Sequence, residues 1–364
     1  MFKVKIYGAG SIGNHLAYAC RAKEWDVLLC DVDPKALERT KTDIYPSRYG
    51  YWDEKIRLTT LDTVRPEEFD LIIVGTPPDT HIELALDALR NEPPKVLLVE
   101  KPLCTPSLNG CQELLDLAKA TGTFVGVGYN HTLTQNTQMA SQVLKDGFLG
   151  QPLTINAIFR EHWGGIFAAH PWLNGPHDTY LGFSERGGGA SGEHSHAINI
   201  WQHFAHLLDM GRIVEVSSML DIVDEGKVSY DRICQLHVRT EKGLVGSIYQ
   251  DVITEPAQKS LRIQGSNGFL EWCVNWDKHN DAVRYWNGRN QVLEEFFPKT
   301  RPDDFRGEID HLEDILKGKE IESPIFLERG LETMMVIAAA NRSHKLSRAV
   351  KINYEIGYFP EAII

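Results

Sequence analysis

Short apolar runs alternate with amphipathic stretches through the first third of the chain. The apolar runs predict strands at Val4–Tyr7, Asp26–Cys30, Leu71–Gly75, Val96–Glu100 and Thr123–Gly128, with a weaker strand near Ile56–Leu58. The stretches between them have the apolar spacing of helices and cover Ser11–Glu24, Pro34–Thr42, Thr80–Asn91 and Ser107–Thr121. Strands that alternate with helices are typical of βαβ units around a parallel sheet.

After about residue 130 the pattern changes to one helix followed by consecutive strands. The helix covers Thr137–Asp146, and the strand-like runs are Thr154–Arg160, Ile213–Leu220, Arg232–Arg239, Leu244–Asp251, Leu261–Gln264 and Phe269–Val274. Ser266-Asn267-Gly268 is typical of a hairpin turn, and a last helix is predicted over Leu327–Ser347. We therefore predict an α/β domain over residues 1–128 and an α+β domain with a mostly antiparallel sheet over residues 129–364.

Composition favours a globular two-domain protein and excludes some classes of function. The chain has 364 residues, 42 % hydrophobic and 24 % charged, which is enough for a large core without disulfides or metals. The formal net charge is −12, so the chain lacks the excess of basic residues that is typical of nucleic-acid-binding proteins. The six cysteines show no CxxC spacing, so we expect buried free thiols. The chain enters a strand at once and has no apolar run of about 20 residues, so we expect a cytoplasmic protein without a leader or membrane contact.

The first candidate site follows the first strand. Its residues are Gly8-Ala9-Gly10-Ser11-Ile12-Gly13. This G-x-G-x-x-G pattern joins a strand to an amphipathic helix, which is the context in which it binds a dinucleotide. The glycines allow a tight turn and a close approach of the backbone to a pyrophosphate, which faces the N–H groups of the helix N-terminus.

A carboxylate at the end of the second strand supports the same interpretation. Asp31 can accept hydrogen bonds from the adenosine ribose hydroxyls and would repel the 2′-phosphate of NADP. The sequence therefore predicts NAD rather than NADP, although Arg39 or Lys35 could still reach a phosphate. Asp33 is expected to cap the next helix. The aromatic segment Tyr45–Trp52 is expected either to pack as a surface loop or to form a rim of the cleft.

Two further strand ends carry candidate cofactor contacts, Gly75-Thr76-Pro77-Pro78 and Glu100-Lys101-Pro102. With these segments the chain resembles the glucose–fructose oxidoreductase / inositol 2-dehydrogenase (Gfo/Idh/MocA) family. The matching pieces span most of the chain: Gly8–Gly13, Asp31, Thr76-Pro77-Pro78-Asp79-Thr80-His81, Glu100-Lys101-Pro102-Leu103, Gly128-Tyr129-Asn130, and Gly187-Gly188-Gly189 leading to His196-Ala197-Ile198-Asn199.

The resemblance implies a Rossmann domain followed by an α+β domain whose large open sheet often forms a homodimer or homotetramer interface. It implies that the Lys101–Pro102 bond can be cis, that Lys101 lies beside the nicotinamide and the reacting hydroxyl, and that His196 acts as acid, base or hydroxyl ligand. Further cofactor contacts are expected at Thr76, Pro77, His81, Glu100 and Asn130. Tyr129 is expected at the substrate.

The residues around Lys101 favour the same role independently. Lys101 follows an apolar strand and precedes a proline, so it occupies a rigid, partly desolvated position. Desolvation lowers the pKa of a lysine and makes it a useful proton partner. The alternative is that Lys101 only forms an ion pair with a carboxylate such as Glu100.

The chain departs from the family pattern at the third catalytic position. The family places an aspartate four residues before the histidine, whereas Gly192 stands there and Glu193 lies one residue later. Either Glu193 replaces the aspartate or His194 takes over its role. Glu193, His194 and His196 match no standard zinc signature, so a polar substrate cleft is preferred to a metal site.

The segment between Arg160 and Arg186 is rich in tryptophan, tyrosine and charged side chains. Arg160 is a candidate for substrate binding, and the tryptophans could serve the pocket or a core or subunit interface. We predict an NAD-dependent oxidoreductase that moves a hydride between nicotinamide and a secondary hydroxyl or keto group of a sugar, nucleotide sugar or inositol. Two alternatives stay open: an NAD-recycling lyase or glycosidase that uses transient oxidation, and a non-catalytic dinucleotide-sensing regulator.

Overall fold

The computed structural model describes residues 1–63, 67–168, 170–286 and 291–364. The chain divides into two compact units. The first unit comprises Met1–Leu103, Gly110–Asn130 and Arg301–Leu327, and the second comprises Cys104–Asn109, His131–Thr300 and Glu328–Ile364. The boundary predicted after residue 128 places Arg301–Leu327 in the second domain. In the structure, the contacts of this segment group it with the first unit.

In the described part of the first unit, six parallel strands form one sheet in the order β3-β2-β1-β4-β5-β6. The strands are β1 (Lys3–Tyr7), β2 (Asp26–Asp31), β3 (Arg57–Thr60), β4 (Leu71–Val74), β5 (Val96–Val99) and β6 (Phe124–Val127). The helices of the βαβ units are α1 (Ser11–Ala22), α2 (Pro34–Arg39), α3 (Tyr45–Tyr49), α4 (His81–Asn91) and α5 (Cys111–Thr121). The predicted α/β fold with a parallel sheet is confirmed. The carboxyl ends of β1, β2, β4 and β5 all lie at one edge, where such sheets bind ligands.

The segment after α2 differs in detail from its prediction. The helix predicted over Pro34–Thr42 ends at Arg39 and continues as a π-helical turn, Thr40–Ile44, followed by α3. The predicted aromatic loop is therefore partly helical. Tyr45 is fully buried there, and its ring contacts those of Tyr49 and Trp52 at centroid distances of 4.8 and 5.4 Å. Packing is thus the main role of these aromatic rings.

The described residues of the second unit form a nine-stranded sheet in the order β14-β13-β12-β11-β7-β10-β9-β8-β15. Its strands are β7 (Pro152–Arg160), β8 (Ile213–Asp224), β9 (Ser229–Thr240), β10 (Val245–Asp251), β11 (Gln258–Gly265), β12 (Phe269–Val274), β13 (Asn280–Trp286), β14 (Leu293–Pro298) and β15 (Val350–Lys351). Only β7 and β10 pair in parallel within this described sheet, so the predicted mostly antiparallel architecture is confirmed. The predicted hairpin turn joins β11 to β12, where the Gly265 N–H donates to the Gly268 carbonyl at 2.9 Å.

Helices cover one face of this sheet. The helices described in the second unit are α6 (Gln135–Lys145), α7 (Gly164–Ala168), α8 (Gly189–Glu193), α9 (His196–Leu207) and α11 (Leu327–Leu346). Of these, α9 packs on β7 and β10, α6 on β12 and β13, and α8 on β9 and β10. The remaining helix, α10 (Arg301–Leu316), belongs to the first unit and packs on α1 and β5. Among the helices that the structure describes, none combines the length and the apolar character required to cross a bilayer. All six cysteine thiols are buried.

Candidate functional site

The turn between β1 and α1 requires glycine for steric reasons. Gly8 has φ +102°, and a Cβ there would lie 2.6 Å from the Gly75 carbonyl oxygen. A Cβ on Gly13 would lie 1.9 Å from the Gly8 carbonyl oxygen. A Cβ on Gly10 would meet no atom of the described residues within 4 Å, so the turn is open on that side. Gly10 is also the N-cap of α1 and supplies no side-chain cap, which leaves the first N–H groups of the helix to an anion.

Asp31 is fixed against this turn. Its Oδ2 accepts a hydrogen bond from the Ala9 N–H at 2.7 Å, and its Oδ1 accepts one from the Asp33 N–H at 2.9 Å. A carboxylate oxygen has two lone pairs, so each oxygen retains capacity for a ribose hydroxyl. Asp33 caps α2 by accepting from the Lys35 N–H at 2.9 Å, as predicted. The glycine cradle and the oriented carboxylate together fit a dinucleotide.

His81 joins two neighbouring strand ends. Its ring is fully buried, with Nε2 2.7 Å from the Thr76 carbonyl oxygen and Nδ1 3.0 Å from the Pro102 carbonyl oxygen. Burial lowers the pKa of His81, and a neutral imidazole donates to only one of these carbonyls at a time. Pro77 lies between Thr76 and the start of α4, and the Thr76 hydroxyl is 2.7 Å from that of Thr80. His81 thus links the loop that carries Pro77 to the loop that carries Lys101 through these two carbonyl oxygens.

Glu100 is buried at the end of β5. The Lys101–Pro102 bond is cis, and the Lys101 N–H donates to Glu100 Oε2 at 3.3 Å. Gly128 leaves room for the carboxyl, because a Cβ there would lie 2.7 Å from Glu100 Oε1. Burial raises the pKa of Glu100 to about 7. Lys101 itself is half-buried.

A second buried carboxyl lies behind Glu100 and was not predicted. Glu308 on α10 is fully buried, and its two carboxyl oxygens have no hydrogen-bond partner among the described residues. Burial is the main cause that raises its pKa, followed by the charges of Glu100 and Asp304. No sequence motif points to this residue, because it comes from a segment far along the chain that returns to the first unit.

The glycine-rich loop of the second unit is held by Asp231 of β9. Asp231 is buried and accepts hydrogen bonds at 2.7 Å from the Ser184 hydroxyl and the Ser191 N–H. Gly189 has φ +75°, and a Cβ there would lie 2.0 Å from Asp231 Oδ1. Burial raises the pKa of Asp231 to about 6, against the opposing effect of these hydrogen bonds. Asp231 therefore positions the loop that leads into α8.

The histidines after this loop have different surroundings. His194 is buried, and its carbonyl oxygen accepts from the Gln250 side-chain amide at 2.7 Å. His196 begins α9 and is half-buried, as is Glu193 at the end of α8. The His196 ring lies 4.5 Å from the ring of His131, centroid to centroid, with an interplanar angle of 62°. One predicted site residue, His196, thus lies next to a histidine that the sequence analysis did not select.

His131 lies against an aromatic wall. Its ring centroid is 5.9 Å from those of Phe159 and Trp272, and these two rings stack on each other at 6.1 Å. The Trp272 indole N–H donates to Thr137 Oγ1 at 2.8 Å, and this hydroxyl donates to the His131 carbonyl oxygen at 2.6 Å. His131 directly follows Gly128-Tyr129-Asn130, so its position in that run was the one available signal.

Arg160 is not brought to this histidine pair. It follows Phe159 in β7, and successive residues of a strand point to opposite faces. Its guanidinium lies 4.0 Å over the Tyr249 ring, and its Nε is 3.9 Å from Asp251. Tyr129 and Asn130 are buried directly after β6, at the end of a segment of the first unit. Among the described residues, no group of three His, Cys, Asp or Glu side chains is arranged to hold a metal ion.

Two family models match the chain over more than half of its length. Residues 2–129 match "Oxidoreductase family, NAD-binding Rossmann fold", and residues 137–271 match "GFO/IDH/MocA C-terminal domain". Among solved structures, levoglucosan dehydrogenase in complex with NADH and levoglucosan superposes with a TM-score of 0.76 at 17 % identity, covering 96 % of this chain and 98 % of that chain.

Curated relatives match over shorter segments. The uncharacterized oxidoreductase YdgJ of Escherichia coli is 34 % identical over 141 residues, which are 38 % of this chain and 34 % of that protein. A glycosyl hydrolase family 109 protein of Shewanella woodyi is 24 % identical over 157 residues, 41 % of this chain and 32 % of that protein. The chain thus spans about a third of the length of these relatives. With both family models matched, the first unit is an NAD-binding Rossmann domain, and the chain belongs to the Gfo/Idh/MocA oxidoreductase family.

Proposed function

We propose that this protein is an NAD-dependent dehydrogenase that transfers a hydride between nicotinamide and a secondary hydroxyl or keto group of a sugar-like substrate. The observation that carries the proposal is the placement of Lys101. It stands at the carboxyl end of β5, on the same sheet edge as the glycine turn and Asp31. Such an edge is where parallel sheets bind cofactor and substrate.

The proposed reaction divides into a hydride transfer and a proton transfer. Bound NAD would supply the hydride acceptor. The hydroxyl proton must leave as the hydride leaves, so a positioned proton partner is required. Lys101 is assigned this role, because it is half-buried and its backbone is tied to Glu100. Glu100, Thr76, Pro77 and Asn130 are assigned to the cofactor side, and His81 is assigned to holding their loops.

The second unit would contribute hydroxyl recognition. His196 and His131 present two imidazoles beside an aromatic wall, and imidazoles can both donate to and accept from hydroxyl groups. Pockets that combine apolar walls with a few polar groups suit small polyhydroxylated ligands. His196 remains the proposed acid, base or hydroxyl ligand. Either Glu193 or His194 remains the proposed replacement for the family aspartate, and Tyr129 remains a proposed substrate contact.

Similar proteins support the substrate class. Levoglucosan dehydrogenase was solved in complex with NADH and levoglucosan, and this chain shares its fold over 96 % of the sequence. The likeness to glycosyl hydrolase family 109 proteins favours one second candidate, a glycosidase that recycles its NAD. We also propose a cytoplasmic homodimer or homotetramer, formed through the open face of the nine-stranded sheet.

The test is NADH formation by the purified protein with NAD or NADP and a panel of inositols, hexoses, uronates and nucleotide sugars. We expect a rate with NAD and one substrate class. Cleavage of a glycoside without net NADH, by protein that co-purifies with NAD, would replace the dehydrogenase with the recycling glycosidase. NAD binding without hydride exchange on any substrate would leave a dinucleotide-sensing regulator.

A further inference from the structure

A segment outside the G-x-G-x-x-G motif is built directly onto the glycine turn. It runs from α2 through the π-helical turn to α3, and it is anchored at Thr40. The buried Thr40 hydroxyl donates to the Ala9 carbonyl at 3.0 Å, and the Asn14 amide donates to Thr40 Oγ1 at 3.0 Å. Asn14 also donates to the Gly10 carbonyl at 2.8 Å. These bonds fix the segment to the turn itself.

The second anchor is Arg48 on α3. Its Nη1 donates to the Ser11 carbonyl oxygen at 3.0 Å, and its Nη2 donates to Ser11 Oγ at 2.9 Å. This two-point contact sets the guanidinium beside the first residue of α1. Arg48 is half-buried, so its charge is screened less than that of a fully exposed side chain.

Aromatic packing holds α3 in this place. The Tyr49 ring stacks on Tyr18 of α1 with centroids 3.7 Å apart and an interplanar angle of 2°. The Tyr49 hydroxyl lies 2.6 Å from Nδ1 of the buried His15, and the His15 ring stacks on Phe305 of α10 at 4.7 Å. Tyr49, the residue next to Arg48, therefore contacts α1 through both its ring and its hydroxyl, which fixes α3 and the Arg48 side chain against that helix.

The surroundings of Arg48 suit an anion. The open side of the turn over Gly10 and the first N–H groups of α1 form the pyrophosphate side of the NAD site. A permanent positive charge one residue away from that position adds to the helix dipole. The Ser11 hydroxyl is also oriented, because Arg48 donates to its oxygen and leaves its proton to point elsewhere.

We propose that Arg48 is a cofactor-binding residue that strengthens pyrophosphate binding through its charge and through its hold on Ser11. The proposal rests on NAD binding by the first unit and does not depend on the substrate. The competing explanation is that Arg48 only fastens α3 to α1. If Arg48 only holds α3 on α1, its loss should weaken the binding of every ligand of the site to the same extent. If Arg48 acts on the pyrophosphate, its loss should weaken only the ligands that contain a pyrophosphate.

The experiment compares the wild-type protein with R48Q and with the control K41Q. Lys41 lies in the same segment, is exposed, and contacts Glu54 at 3.5 Å, so K41Q removes an equal charge away from the turn. Binding of NAD, ADP-ribose and adenosine is measured by calorimetry at two salt concentrations. We expect R48Q to bind NAD and ADP-ribose about 10-fold more weakly, as loss of a charge-assisted interaction would cause, and adenosine as tightly as the wild type does. K41Q should match the wild type, and R48Q should show a weaker salt dependence.

Two outcomes would overturn the proposal. An equal loss of affinity for adenosine and ADP-ribose would mean that Arg48 only holds α3 on α1. Unchanged affinity for ADP-ribose would mean that Arg48 does not contribute to cofactor binding. If R48Q proves insoluble, R48K is measured instead. Because R48K keeps the charge, we expect a loss of affinity that is smaller than 10-fold and confined to NAD and ADP-ribose. A wild-type protein that binds NAD yet oxidises no sugar would refute the proposed dehydrogenase without touching this inference.

Discussion

Lys101 is the residue on which the proposed chemistry depends most. Replacing it with alanine should leave NAD binding intact and lower kcat by about 100-fold or more, because a positioned proton partner contributes on the order of 10²–10⁴ in rate. The measurement pairs NADH formation with NAD affinity. Lys95 provides a matched control, since it lies just before β5, is largely exposed and forms an ion pair with Asp70 at 2.9 Å, away from the proposed site. K95A should keep its turnover, and an equally active K101A would refute the assignment.

At the scale of single residues, the sequence predicts those site residues that a local pattern marks. The glycine turn, Asp31 and Lys101 could be selected because each lies at the end of a recognisable strand, and strand ends of a parallel sheet meet at one edge. Asp231, His131 and Arg48 could not be selected in this way. Each acts through a contact with a residue that is distant in sequence: Asp231 with Ser191, His131 with His196, and Arg48 with Ser11. Such pairings depend on tertiary structure, and the place of His131 directly after Gly128-Tyr129-Asn130 was the one local signal for any of these three residues.

At the scale of elements, α10 supplies a prediction about stability and pH. Glu308 lies on its buried side, and burial, with Glu100 and Asp304 nearby, raises its pKa above the ordinary value of 4.5. The folded chain then keeps a proton that the unfolded chain loses as the pH rises. The stability that depends on this protonated carboxyl is complete below about pH 4.5 and is lost as the pH rises through the raised pKa.

The variant E308Q cannot ionise, so it should gain stability relative to the wild type as the pH rises. We expect similar Tm values at pH 5 and a higher Tm for E308Q at pH 8, with a gain of about 1.4 kcal/mol for each unit by which the pKa is raised. Thermal unfolding followed by circular dichroism measures both. The exposed Glu320 provides the control, because E320Q removes the same charge without burial. A Tm difference that does not change with pH would mean that Glu308 ionises normally.

The helices and strands that are easiest to predict from the sequence are those whose buried side chains form a clear apolar pattern. Strands β4 and β5 of the parallel sheet are buried and apolar at every position, and the sequence located both to within about a residue. By contrast, β14 is almost wholly exposed or half-buried, so its side chains show no buried face to recognise. The grouping of α10 with the first unit rests on its contacts with α1 and β5, which a linear division of the chain cannot anticipate.

At the scale of the whole molecule, one face of the nine-stranded sheet carries exposed and half-buried side chains along β9 and β10. One cross-strand row on that face contains Met219, Gln235, Tyr249 and Ile158, which are neighbours in the register of β8, β9, β10 and β7. Met219 is 71 % exposed, and Val245 on the same face is 41 % exposed. Apolar side chains grouped on a sheet surface are typical of an interface with another protein. The opposite face is buried under α9 and carries Leu236 and Ile248.

We expect this face to join two copies of the chain, so the wild type should sediment as a dimer or tetramer at micromolar concentration. The double variant M219D/Y249D should shift to monomer, because it places two added carboxylates at the centre of the row, where association would remove them from water. I321D inserts the same charge at an exposed apolar residue of the first unit and should not change the assembly. Each copy carries a net charge of −12, so salt should strengthen wild-type association by screening the repulsion. A monomeric wild type at every salt concentration would show that the face serves another purpose, whereas an M219D/Y249D protein that stays dimeric would place the interface elsewhere.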